Sequence, residues 1–89
     1  MKKHYNITVM GRVQGIGFRY NARRQALTLG LDGFVKNMPD GSVYIEAEGN
    51  PSALDEFVNW CQAGPSGSRI IDVKVSISNL EGLIGFNAY

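Results

Sequence analysis

The sequence predicts an α+β domain in which two helices cover one face of an antiparallel sheet, with elements in the order βαββαβ. Three observations carry this expectation. Apolar and polar residues alternate over Tyr5–Met10 and again over Ile71–Ile77, the period-two pattern of strands with one face on a core. Two segments with apolar residues at helical spacing lie between those strands. One turn signature, Met38-Pro39-Asp40-Gly41, separates two further strand-like runs in the middle of the chain.

Each element follows from its residues. Tyr5, Ile7 and Val9 alternate with Asn6, Thr8 and Met10, and a glycine-rich stretch ends the strand. From Phe18 the spacing becomes helical through Ala22, Ala26 and Leu29, and Gly30 stands where a helix C-terminus is expected. Phe34–Asn37 and Val43–Glu48 read as strands of a β-hairpin, because proline presets φ at the turn, aspartate favours it and glycine accepts positive φ. Asn50 suits an N-cap with Pro51 at the first helical position. Leu54, Phe57, Val58 and Cys61 then follow at i, i+3, i+4 and i+7, with a stop near Gly64. Ala63–Ser68 is a connecting loop, and Leu83–Tyr89 offers a short fifth strand at an edge. A strand, helix and strand with a hairpin inserted form the split-βαβ, or ferredoxin-like, arrangement.

At 89 residues the chain is one domain, 1–89, able to hide roughly two-thirds of its unfolded surface. Hydrophobic residues at 44% and charged ones at 19% exclude disorder and fibrous repeats. A net charge of +1 argues against a dedicated nucleic-acid binder. With a single cysteine, no apolar run near the ~20 residues that cross a bilayer, and a charged start that passes straight into alternation, a cytoplasmic, unprocessed chain is expected.

The richest segment is Gly11-Arg12-Val13-Gln14-Gly15-Ile16-Gly17-Phe18-Arg19, which joins strand to helix through three glycines and ends on an arginine. Glycines let successive backbone N–H groups turn toward one point, and the helix start adds unpaired donors and a positive dipole end. Arg19 opposes that dipole unless an anion sits nearby, so the segment reads as an oxyanion cradle, with phosphate the expected occupant. It lacks the Gly-Lys-Ser/Thr ending of a P-loop, which argues against nucleoside triphosphates. No cluster of His, Cys, Asp or Glu stands at ligand spacing, so neither a metal nor a cofactor is expected.

This segment resembles the first signature of the acylphosphatases, and Gly33-Phe34-Val35-Lys36-Asn37 followed by Asp40-Gly41-Ser42-Val43 resembles the second. The similarity spans nearly the whole chain, and the family shares the length and element order. It implies hydrolysis of acyl phosphates to a carboxylate and inorganic phosphate, without metal or covalent intermediate. By motif position, Arg19 would bind phosphate and Asn37 would hold the attacking water. The backbone amides of Gln14, Gly15, Ile16, Gly17 and Phe18 would form the cradle. Two departures stand out. Gly17 stands where many members carry a bulkier residue and is expected to loosen the loop, and Phe86-Asn87-Ala88-Tyr89 lacks the arginine common near the family's end, which leaves open whether the C-terminus contacts the site.

The chemistry asks for little more than these groups. A carboxylate leaves readily as an anion, and phosphoryl transfer is largely dissociative, so positioning and charge stabilisation remain. Arg19 supplies a permanent, bidentate cation, and Asn37 both accepts from and donates to water without being a base. Both motifs lie at strand ends, and the sequence leaves open whether they share an edge. Expected partners are a small acyl phosphate and inorganic phosphate as product and inhibitor, with no nucleic acid, no membrane and a monomeric state.

Plainer readings stand beside these. Cys61 is expected to be a buried hydrophobe and Trp60 to be partly exposed, while His4 and Lys2-Lys3 belong to a frayed, solvated end. Arg12, Arg23 and Arg24 are explained by ordinary surface charge as well as by substrate attraction. The main alternative is a non-catalytic phosphate- or ligand-binding module of the same fold. An RNA-recognition module shares the element order, but Ser42–Glu48 offers one aromatic and two acids where stacked aromatics beside a basic residue are needed.

Overall fold

The computed structural model describes all residues, 1–89. Its elements run β1 (Lys3–Arg12), α1 (Phe18–Thr28), β2 (Asp32–Asn37), β3 (Val43–Gly49), α2 (Pro51–Ala63), β4 (Arg69–Ser78) and β5 (Phe86–Ala88). The sheet order is β4-β1-β3-β2-β5. The first four strands pair antiparallel, as expected, and the short fifth joins β2 in parallel at the edge, making the sheet mixed.

The alternation places the core. Tyr5, Ile7 and Val9 of β1, Val35 of β2, and Val43, Ile45 and Ala47 of β3 are buried together with Phe18, Ala22 and Ala26 of α1 and Leu54, Phe57 and Cys61 of α2. Both helices therefore lie on one face of the sheet. Trp60 is partly buried, stacked at 6.1 Å on Phe57 and tilted at 5.3 Å against Phe18, so its partial exposure holds. Asn50 caps α2 by accepting from the Ser52 backbone N–H at 3.0 Å, with Pro51 at the first helical position.

The reading of His4 as part of a frayed end is wrong. Its side chain is fully buried on the sheet face opposite the helices. Nδ1 lies 2.6 Å from Glu48 Oε2, and Nε2 lies 2.8 Å from Glu46 Oε1 and 3.1 Å from Asn6 Oδ1. Burial pulls the imidazole pKa down, but the hydrogen bonds to Glu48 and Glu46 outweigh it and raise it above its ordinary value. His4, Glu46 and Glu81 also bring ligand atoms within 4.8 Å of one another, a His/Glu grouping that spacing along the chain does not show. Sheet register assembles it, because His4 faces Glu48 across the β1–β3 ladder with Glu46 one residue pair beyond on the same face.

Candidate active site

Strand topology answers the question of the shared edge. β1 and β2 both run antiparallel to β3, which lies between them, so their C-terminal ends emerge on the same side. Val43 pairs with Val9 on one flank and with Asn37 on the other, which sets Asn37 two strand spacings, about 10 Å, from Val9 near the C-terminal end of β1. Asn37 lies two residues beyond the buried Val35 and so shares its helix-facing side of the sheet. The loop from β1 and the start of α1 fold over that edge.

A cleft of about 300 Å³ opens there, lined by Val13, Gly15, Gly17, Phe18, Arg19, Tyr20, Arg23, Asn37 and Ala88. The lining carries two arginines and no acidic side chain. Gly15 and Gly17 have φ of +77° and +80°, while no non-glycine residue has positive φ. Positive and negative φ thus alternate through the loop, as in the backbone nests that turn consecutive N–H groups toward an anion. No backbone N–H from Gln14 to Tyr20 donates to a main-chain acceptor. The start of α1 has no side-chain cap and no acidic residue in its first turn. Gly17 occupies the N-cap itself, where its positive φ favours glycine, so it shapes the loop as well as shortening a side chain.

Asn37 Oδ1 is the one buried side-chain oxygen or nitrogen that finds no hydrogen-bond partner in the protein. An acceptor left so costs about 1–3 kcal/mol, which a fold retains where something outside the protein donates to it. Arg19 is half-buried and donates from Nη1 to the Tyr89 carbonyl oxygen. Arg23 Nε donates to the Phe86 carbonyl oxygen at 2.8 Å. The C-terminal residues therefore do flank the cleft, a point the sequence leaves open. Main-chain carbonyls hold the two guanidinium groups, a role that residue identity at 86–89 does not reveal.

The cradle expectation concerns main-chain N–H groups, and two of its residues, Gln14 and Ile16, keep their side chains out of the cleft lining. The side chain of Ile16 packs against the core, and that of Gln14 turns away to donate from Nε2 to the carbonyl oxygens of Met38 at 2.8 Å and Ser42 at 2.9 Å. Arg23 and Ala88 line the cleft without having been singled out for it. The i, i+4 spacing of Arg19 and Arg23 on one helix face was the signal available for the first. Cys61 lies in the core, where burial pushes its thiol up to about 12.

A family model described as acylphosphatase matches residues 5–87. An acylphosphatase from Nocardioides sp. is 44% identical over 86 residues, covering 97% of this chain and 87% of its own. One from Thermococcus kodakarensis is 41% identical over 81 residues, covering 91% and 89%. The crystal structure of an acylphosphatase from Bacillus subtilis superimposes with a TM-score of 0.95 at 43% identity, covering 100% of this chain and 99% of that one.

Proposed function

The chain belongs to the acylphosphatase family, and from that premise we propose that it hydrolyses acyl phosphates to a carboxylate and inorganic phosphate by direct attack of an oriented water. The observation that carries the mechanism is the orphaned Asn37 Oδ1 in the same cleft as the nest and Arg19. The free N–H groups of the loop and the Arg19 guanidinium bind the phosphoryl oxygens, and they act as fixed dipoles and charge that need no reorganisation as the transition state forms. Asn37 Oδ1 accepts a hydrogen bond from water and aims its lone pair at phosphorus, in line with the departing carboxylate. The leaving group departs as a stable anion, so no general acid is needed, and the lining holds no carboxyl, histidine or lysine.

Hydrolysis of benzoyl phosphate without added metal, and in the presence of a chelator, tests the reaction. Arg19→Gln and Asn37→Ala should each lower kcat/KM by at least about a hundredfold while the circular dichroism spectrum is retained. Activity surviving either substitution removes that residue from the mechanism, and activity abolished by chelator replaces the mechanism with a metal-dependent one. Phosphate binding without turnover by the unaltered chain identifies a binding module instead. Sedimentation at micromolar concentration tests the monomeric state, and no helix is long and apolar enough to cross a membrane.

A further inference from the structure

Gln14 contributes to two places at once. Its backbone stands at the head of the nest, and both protons of its side-chain amide are directed at the turn that follows Asn37, on the Met38 carbonyl at 2.8 Å and the Ser42 carbonyl at 2.9 Å. That turn is already closed without it. Met38 N–H donates to the Ser42 carbonyl at 2.9 Å, Gly41 N–H donates to the Met38 carbonyl at 3.1 Å, and Asp40 Oδ1 accepts from the Ser42 N–H and hydroxyl. The two bonds from Gln14 therefore add a tie between the turn and the phosphate loop, two elements joined otherwise through the width of β3.

We infer that Gln14 is a positioning residue for the hydrolytic reaction, holding the backbone beside Asn37 at a fixed offset from the anion nest so that the water on Asn37 meets phosphorus in line. This rests on the functional reading above. In-line attack tolerates little displacement, and an error near 1 Å can cost on the order of a hundredfold in rate. A residue that sets the distance between nest and Asn37 changes the rate of the bound complex. It does not change the affinity of the nest for phosphate, whose donors are main-chain groups and Arg19.

Gln14→Leu keeps the bulk of the side chain and removes both donors. With benzoyl phosphate as substrate and inorganic phosphate as inhibitor, kcat should fall about ten- to a hundredfold while the phosphate inhibition constant stays within about twofold. Retained kcat overturns the inference, and so does a matched fall in kcat and phosphate affinity, which makes Gln14 a support of the nest alone. Should the leucine variant not fold, Gln14→Asn, one methylene too short to reach the turn, is read in the same way. Failure of both to fold assigns Gln14 to stability and also overturns it. Absence of turnover in the unaltered protein overturns the functional reading itself and is recognised before any variant is made.

Discussion

The Cys61 side chain is fully buried on the core-facing stripe of α2 with Leu54 and Phe57. Desolvation pushes its thiol up to about 12, leaving almost no thiolate near neutrality. Iodoacetamide at pH 8 should therefore leave the native protein unmodified over an hour and label it within minutes in denaturant, as read by mass spectrometry. Rapid labelling of the native state would show that the thiol is reachable and ionised. The burial of Cys61 is legible from the i, i+3, i+4, i+7 stripe of its helix, whereas the partners of His4, Glu46 and Glu48, lie 42 and 44 residues away. A lone histidine before the first strand carries no local sign of them, and only the ladder register brings them together. Asn37 stands between the two. Its place in a signature gave it a role, but the burial of its Oδ1 depends on the loop from β1 folding across the strand end.

At the scale of elements, what was legible is what local chemistry dictates. The hairpin forms at Met38–Gly41 because proline, aspartate and glycine suit that turn, and Asp40 closes it by accepting from both the N–H and the hydroxyl of Ser42. Those same bonds from Ser42, the side-chain bond foremost, hold the Asp40 carboxyl below its usual range. Helix α2 starts at Pro51 because Asn50 satisfies the Ser52 N–H and hydroxyl. Asn50→Ala removes that acceptor and should destabilise the fold by about 1 kcal/mol, lowering Tm by roughly 4–8 °C in a domain of this size. Asn50 is remote from the cleft lining, so kcat/KM should be unchanged, and calorimetry beside the hydrolysis assay checks both halves. The fifth strand was only partly legible. Three residues are too few to fix a partner by alternation, and its parallel pairing depends on contacts far away in sequence. Gly33 N–H donates to the Gly85 carbonyl at 2.7 Å, Tyr89 N–H donates to the Val35 carbonyl at 2.9 Å, and Phe86 packs edge-on against Phe57.

In the whole molecule the sheet separates two polar systems. The cleft lies on the helix-facing side at the ends of β1 and β2, and the His4 network lies on the opposite face under the connector 79–85. Glu48 links that network to the connector by accepting from the backbone N–H groups of Glu81 and Leu83 as well as facing His4. The connector leads directly into β5, whose carbonyls hold Arg23 and, beyond it at Tyr89, Arg19. Ionisation in the network therefore bears on stability at both ends of the pH scale. Burial pushes the Glu48 carboxyl up, but the N–H groups of Glu81 and Leu83 and the His4 ring prevail and hold it at about 2, against 4.5 when unperturbed. The native state thus binds fewer protons at Glu48 than the unfolded chain does, so its contribution is complete above pH 4.5 and is lost as pH falls toward 2. For His4 the sign is reversed. Its raised native value means that the folded state holds the proton more tightly, so the contribution is complete below pH 6.5 and declines as pH rises through the native value. Stability should accordingly be greatest between these two unfolded values and decline on either side, as read from denaturant unfolding across pH. Glu48→Gln should flatten the acid limb, and His4→Gln the decline above pH 6.5, each at the expense of overall stability because a buried partner is left unpaired. An alkaline slope unchanged in His4→Gln would show that the imidazole is not the group whose proton stabilises the fold.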